Sequence, residues 1–326
     1  MTSDTAPLRL GTRASLLART QSGTVADALR AATGREVELV PITTDGDVLT
    51  GPLAQLGGTG VFVAALRDAL LRGDCDLVVH SMKDLPTGAV EGLEIGAVPE
   101  RAPVGDVLCS RDGLNLATLP RGAVVGSGSP RRVAQLLRRR PDLDVRGIRG
   151  NVDTRLRKVD EGEYDAIVLA EAGLVRIGRT DRISERFDAD AWPPSAGQGA
   201  LAVEVRTGTT SAPESADAAD AVRAAVARIT DVDAEVTALL ERAVLRRLEA
   251  GCAAPVGISA TLAPGGVALV AEVYSLDGAR AVRVERTFSR AEVDGELGRA
   301  DAAAEVVDEL FAAGAADLAD LAGSGR

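Results

Sequence analysis

A single histidine, His80, and three cysteines, Cys75, Cys109 and Cys252, are all that 326 residues offer of the side chains most used to bind metal. One histidine excludes a histidine-rich metal site and any two-histidine acid–base pair, so no metal is expected. The cysteines are far apart and never in Cys-x-x-Cys spacing, which excludes a disulfide framework and fits a reducing compartment. No serine sits in a Gly-x-Ser-x-Gly elbow, so nothing marks a hydrolase nucleophile. Aromatic residues make up 2% of the chain, too few for base-stacking platforms. Basic residues are outnumbered 37 to 48, a net charge of −11, so no nucleic-acid partner is expected. No apolar run approaches the roughly 18–20 residues that cross a bilayer, and no membrane partner is expected either. The first ten residues are polar and include Asp4 and Pro7, unlike a secretory leader; a cytoplasmic protein is expected.

What is present is enough apolar side chain, 46%, for sizeable cores, and a length that suits two or three domains. Short apolar runs alternate with helical patterns over the first two hundred residues. Leu8–Leu10, Val37–Ile42, Asp76–His80, Leu93–Val98 and Val107–Cys109 read as strands, with helices near 15–32 and 61–71. A second series follows: strands at 123–125, 143–148 and 166–170, helices at 130–139 and 154–161. This alternation predicts two α/β domains with mainly parallel sheets, whose ligands bind at the carboxyl ends of strands in a cleft between them. Residues 207–220 read as a linker and about 221–249 as one long helix. Beyond Gly251 the pattern is a meander turned at Asp277-Gly278, closed by a helix near 300–313: a small α+β domain. The expected division is 1–99 with 200–220, 100–199, and 221–326.

The candidate chemistry clusters at predicted strand ends. His80-Ser81-Met82-Lys83-Asp84 places a cation beside a carboxylate. Ser127-Gly128-Ser129-Pro130-Arg131-Arg132 opens a helix, with Ser129 expected as its cap and the two arginines making an anion site. Arg149-Gly150-Asn151-Val152-Asp153-Thr154-Arg155 repeats the scheme, and an arginine in a first helical turn opposes the macrodipole unless an anion justifies it. Arg13 and Arg176 occupy comparable positions. The pattern points to a ligand with several carboxylates or phosphates. Cys252 stands on a Gly-flanked loop, as a nucleophile or a structural thiol; Cys75, between Asp74 and Asp76, is a poor nucleophile. His80 reads as a structural, hydrogen-bonded histidine.

Taken together these motifs resemble the porphobilinogen deaminase (hydroxymethylbilane synthase) family. The matching stretches are Gly11-Thr12-Arg13-Ala14-Ser15, the glycine-rich loop ending at Phe62, His80 to Asp84, Val125 to Arg132, Arg149-Gly150-Asn151, Thr154-Arg155, Ala172-Gly173-Leu174, Gly197-Gln198-Gly199 and Gly251-Cys252. They run in order along nearly the whole chain.

The resemblance implies two periplasmic-binding-protein-like domains plus a small C-terminal domain. It implies an enzyme that joins four porphobilinogen molecules into hydroxymethylbilane, each addition releasing ammonia, on a dipyrromethane cofactor held by a thioether to Cys252. It casts Asp84 as the catalytic carboxylate that stabilises positive charge at the pyrrole nitrogens. Lys83, Ser127, Ser129, Arg131, Arg132, Arg155, Gln198 and Gly199 would hold the cofactor; Arg13, Ser15, Phe62, Arg149 and Arg176 would hold the substrate. A monomer is expected on family grounds alone. Three positions depart from the family's pattern: Thr59 where a lysine is frequent, Asp153 where glycine is common and Glu171 where a small apolar residue is usual. One rival reading is a binding module whose arginine-lined cleft takes an anion and does no chemistry, which leaves the third domain, Cys252 and the Lys83-Asp84 pair without a purpose; another is a catalytically dead homologue with a scaffolding role, supported only by Thr59. The charge is also unevenly spread. Between Arg131 and Lys158 there are ten basic and three acidic residues, whereas residues 291–326 hold nine acidic and two basic. The average conceals an arginine-rich segment in an otherwise acidic chain.

Overall fold

A computed structural model describes residues 6–42, 60–208, 213–250 and 254–321. The chain divides into two compact units, Met1–Arg101 with Ala200–Glu235, and Ala102–Gly199 with Val236–Arg326.

The first unit holds β1 (Leu8–Thr12), α1 (Leu16–Thr33), β2 (Val37–Pro41), α2 (Gly60–Arg72), β3 (Leu77–Ser81), β4 (Leu93–Ala97) and, after the chain returns, β10 (Leu201–Arg206) and α6 (Pro213–Ala227). The second holds β5 (Asp106–Ser110), β6 (Val124–Gly126), α3 (Pro130–Arg139), β7 (Asp144–Arg146), α4 (Val152–Asp160), β8 (Ala166–Ala170), α5 (Glu171–Arg176) and β9 (Glu185–Arg186). It also holds β11 (Val256–Ala263), β12 (Gly266–Tyr274), β13 (Ala281–Phe288) and α8 (Gly295–Ala312); α7 (Val232–Arg247) begins in the first unit and runs on in the second.

Two five-stranded sheets share one topology. Their orders are β2-β1-β3-β10-β4 and β7-β6-β8-β5-β9. In each, three parallel strands are followed by an antiparallel one, β10 or β5, the first strand after the chain passes from one unit to the other. The fifth strand, β4 or β9, is antiparallel to that one in turn, so four of the five strands in each sheet run the same way, the mainly parallel arrangement expected, with β10 or β5 reversed. Strand direction leaves no mark on a buried apolar run: Leu201–Arg206 carries no polar alternation and was not among the expected strands, because its one acid, Glu204, is buried too.

Both faces of each sheet are covered. Leu8, Leu10, Leu77, Val79 and Val203 pack with Val25 and Leu29 of α1; Leu66 and Leu70 of α2 pack on the other side with Val78. Local signals start and stop the helices. Ser15 Oγ accepts from Ala18 N and Gly34 closes α1 in the left-handed region, φ +70°. Asn151 caps α4 by accepting from Thr154 N at 2.8 Å. Asp231 breaks the expected 221–249 helix: its Oδ1 accepts from Asp233 N and Ala234 N, so α6 ends at Ala227 and α7 starts anew. The start of α6 at Pro213 lies within the segment expected to be linker.

The C-terminal domain is the expected meander, β11-β12-β13, covered by α7 and α8 through Leu240, Val244, Val306 and Leu310. Its β12–β13 turn at Asp277-Gly278 seats against α3: a Cβ on Gly278, φ +71°, would lie 2.3 Å from the Ala134 carbonyl oxygen. Only glycine permits that approach.

Candidate active site

In the first unit, β1 and β3 are parallel neighbours, so their carboxyl ends deliver adjacent side chains. Past β1 come Arg13 and Ser15; past β3 comes a 3-10 turn, Met82–Asp84, anchored by buried Met82. Arg13, Ser15, Gln21, His80, Ser81 and Asp84 line one concavity of about 130 Å³. Gln21 Nε2 donates to Ser81 Oγ at 2.7 Å, fixing that rim. Lys83 is half-buried. Asp84 is exposed and has no side-chain partner among the described residues.

His80 is buried and its Nε2 lies 3.0 Å from Glu204 Oε2, which agrees with its expected structural role. Glu204 also receives both Nε and Nη2 of Arg67, at 2.9 and 2.7 Å. Burial pushes the Glu204 carboxyl up, but the hydrogen bonds from His80 and Arg67 outweigh it and hold the group down at about 2. Burial is also the main reason the Cys75 thiol rises to about 11, with Asp76 second; the sequence reading had named only the acidic neighbours.

In the second unit, the loop after β6 carries Ser127 and Ser129. Ser129 makes no side-chain cap; instead buried Ser127 accepts from Ser129 N at 3.2 Å. Arg131 and Arg132 do not fan out from the helix start. Both are buried against Asp106, the first residue of β5, itself fully buried. Arg131 Nη1 lies 2.7 Å from Asp106 Oδ2, and Arg132 Nη2 lies 2.7 Å from Oδ1. Gln198 Nε2 and Trp192 Nε1 donate to the same carboxylate at 2.8 and 3.0 Å. These donors hold Asp106 well below the usual carboxylate range although burial acts the other way. Sequence reasoning missed Asp106. Its only signal was an acid opening an apolar strand, Asp-Val-Leu-Cys, where a buried charge must find partners.

Gly199, φ +85°, admits no side chain, since a Cβ would stand 2.3 Å from the Ala102 carbonyl oxygen. Its own carbonyl accepts from Arg176 Nη2 at 2.7 Å. Burial draws the Arg176 guanidinium down to about 10, and no carboxylate pairs with it among the described residues. Arg149 is exposed and likewise has no ion pair among the described residues; Arg155 Nε donates to Gly150 O at 2.8 Å. Two of the departures from the family's pattern are neutralised away from these arginines. Asp153 faces Arg179 at 3.8 Å and Glu171 accepts from Arg186 Nε at 2.6 Å. Cys252, Thr59 and the Phe62 side chain lie outside the described residues.

Around Asp106, two buried guanidinium groups share one carboxylate. One of them has a donor without a partner: Arg131 Nη2 is buried and unbonded. A dipyrromethane, with acetate and propionate groups, fits such a donor set chemically. Bound through a thioether, it would supply a nucleophilic pyrrole carbon as primer.

Comparison with known proteins gives consistent results. A family profile described as "Porphobilinogen deaminase, dipyromethane cofactor binding domain" matches residues 8–214, and "Porphobilinogen deaminase, C-terminal domain" matches 235–307. The porphobilinogen deaminase of Leifsonia xyli subsp. xyli is 50% identical, covering 97% of this chain and 95% of that protein. That of Thermobifida fusca is 49% identical over 99% and 98%, and porphobilinogen deaminase 1 of Streptomyces coelicolor 48% over 95% and 97%. Among solved structures, the periplasmic sulfonate-binding protein SsuA from Methylobacillus flagellatus is similar at a TM-score of 0.38 and 13% identity, over 76% of this chain and 71% of that one.

Proposed function

We propose, from the premise that the chain belongs to the porphobilinogen deaminase family, that Asp84 is its catalytic carboxylate and that its arginines divide between cofactor and substrate. The activity is the polymerisation of porphobilinogen into hydroxymethylbilane in tetrapyrrole biosynthesis, on a dipyrromethane cofactor.

Each addition breaks the aminomethyl C–N bond of porphobilinogen, releases ammonia, forms a C–C bond and removes the proton of the attacking carbon. The substrate is left cationic when ammonia departs. Asp84, uncommitted at the rim of the Arg13–Ser15–Ser81 concavity, stabilises that charge and carries the proton. Arg13, Ser15, Phe62, Arg149 and Arg176 hold the carboxylates and ring of the incoming unit. Lys83, Ser127, Ser129, Arg131, Arg132, Arg155, Gln198 and Gly199 hold or shape the cofactor's carboxylate pockets, and Cys252 is its anchor, not a nucleophile that turns over. The observations that carry the arginine assignment are Arg131, buried with its Nη2 unbonded, and half-buried Arg176, which has no carboxylate partner among the described residues. Buried cations are retained only where an anion meets them. No helix of the described residues is long and apolar enough to cross a membrane; a cytoplasmic monomer is the reading we adopt. The proposed domain division keeps residues 1–99 with 200–220, 100–199 and 221–326.

Denaturing mass spectrometry tests the assignment. The purified protein is expected to carry an adduct of two linked pyrrole units, and Cys252→Ser to have the mass of its sequence alone. Asp84→Ala is expected to keep the adduct and lose about a thousandfold or more in turnover, within the range of a lost general acid–base with its electrostatic contribution. A wild type without adduct, even after incubation with porphobilinogen, sinks the cofactor reading; an active Asp84→Ala removes Asp84 from its role.

A further inference from the structure

The catalytic reading leaves the fully buried Asp106 unused, yet it is the most heavily bonded carboxylate of the second unit. Its Oδ1 accepts from Arg132 Nε and Nη2 at 3.1 and 2.7 Å and from Gln198 Nε2 at 2.8 Å. Its Oδ2 accepts from Arg131 Nη1 at 2.7 Å and Trp192 Nε1 at 3.0 Å. These donors come from α3, from the Gly197-Gln198-Gly199 turn and from the segment before it. The rest of the Arg131 fork is pinned as well: Nη1 also donates to Gln135 Oε1 and Pro193 O, at 2.7 and 3.1 Å, and Nε to Ser195 Oγ at 3.3 Å. A planar guanidinium bonded at Nε and Nη1 has no freedom left, so Nη2 points in one fixed direction.

The cluster is also unbalanced. Two guanidinium groups share one carboxylate, which leaves one positive charge in excess. The nearby Glu272 does not correct this, since Arg283 pairs with it at 3.2 Å. A purely structural staple would be neutral and fully bonded, because an unmatched buried charge is costly. This one is short by one anion and has one buried donor spare.

We infer that Asp106 is a positioning residue: it locks Arg131 and Arg132 into a rigid receptor that accepts one carboxylate of the dipyrromethane at Arg131 Nη2. This rests on the reading that the chain carries that cofactor. Without Asp106 the same arginines would be more cationic yet disordered in direction, free to take up any small anion.

Asp106→Asn tests this at nearly constant volume. Asparagine offers one acceptor and one donor where two acceptors stood, so one arginine must let go. Asp106→Glu keeps the charge of the cluster while displacing its carboxylate and so isolates geometry from charge. The readout is the fraction of purified protein bearing the adduct and the rate at which cofactor-free protein acquires it from porphobilinogen, by denaturing mass spectrometry. Both variants are expected to load about tenfold more slowly or worse, the loss of one oriented charge-assisted hydrogen bond. Their loading is expected to become sensitive to added acetate, unlike that of wild type. Trp192, the sole tryptophan, needs no variant: its emission maximum in the wild type is expected to shift between cofactor-free and loaded protein, because its N–H bonds Asp106. Wild-type loading rates in variants that merely melt earlier would reduce Asp106 to a structural staple and overturn the inference, as would an unmoved Trp192 emission. A wild type that never acquires the adduct removes the cofactor reading itself, a result distinct from either.

Discussion

Glu204 shows how far a single residue's neighbours decide its chemistry. Its carboxyl sits at about 2, below the ordinary value of 4.5, because the hydrogen bonds of His80 and Arg67 exceed the opposing effect of burial. A depressed native value stabilises the fold above the unfolded value and loses that contribution as pH falls from about 4.5 toward 2. The amount is about 3 kcal/mol at neutral pH. Acid titration of Glu204→Gln is therefore expected to show a flatter stability profile below pH 5 and lower stability at pH 7, where Arg67 and His80 remain buried without their anion. Equal acid slopes for variant and wild type would remove Glu204 as a main contributor. At this scale the sequence was readable in the placement of Arg13 and Asp84 just past the ends of β1 and β3. It was silent on partners. Asp106 meets Arg131 across 25 positions and Gln198 across 92, and no local spacing encodes such a pair.

Among the elements, the helix pattern over 221–249 was legible and the signal for its interruption was present but passed over: Ile229-Thr230-Asp231-Val232 is β-branched around a good capping residue, and Asp231 caps the new helix. α7 then carries Glu241, fully buried, which joins two distant backbones. One oxygen accepts from Gly197 N at 2.7 Å and the other from Ala260 N of β11 at 2.8 Å. This clamp presents Gln198 to Asp106, so the C-terminal domain helps to shape the arginine receptor. Glu241→Gln is expected to destabilise the second unit by about 2 kcal/mol, since the amide nitrogen must face a backbone N–H and leave it unpaired. Thermal unfolding together with faster amide exchange at Gly197 and Ala260 would register it; exchange unchanged at both positions would mean the clamp is not where that unit is held.

At the scale of the whole molecule, what the chain's acidic average hides is a division of labour between its units. The second unit combines the arginine-rich segment 130–158 with the C-terminal domain that follows Cys252, joined by the Gly278 turn on α3 and the Glu241 clamp. On the proposed reading, a cofactor tied to Cys252 and held by arginines of that unit would add a covalent and ionic link inside it. Alternation of strands and helices made the α/β class and the C-terminal meander readable. It could not reveal that one compact unit would gather residues 102–199 with 236–326, since packing between distant segments leaves no periodic trace. Cys252→Ser, which cannot hold the cofactor, is therefore expected to melt lower by roughly 5–10 °C, the loss of about two charge-assisted hydrogen bonds in a unit of this size. The loss should be local. Amide exchange is expected to speed up in β5, β8 and the Gly197–Gly199 turn while β1, β2 and β3 keep their protection, because the anions that leave are those the second unit's buried cations require. Destabilisation shared equally by both sets of strands would instead mean that the cofactor's ionic contacts are not concentrated in the unit that bears its arginines.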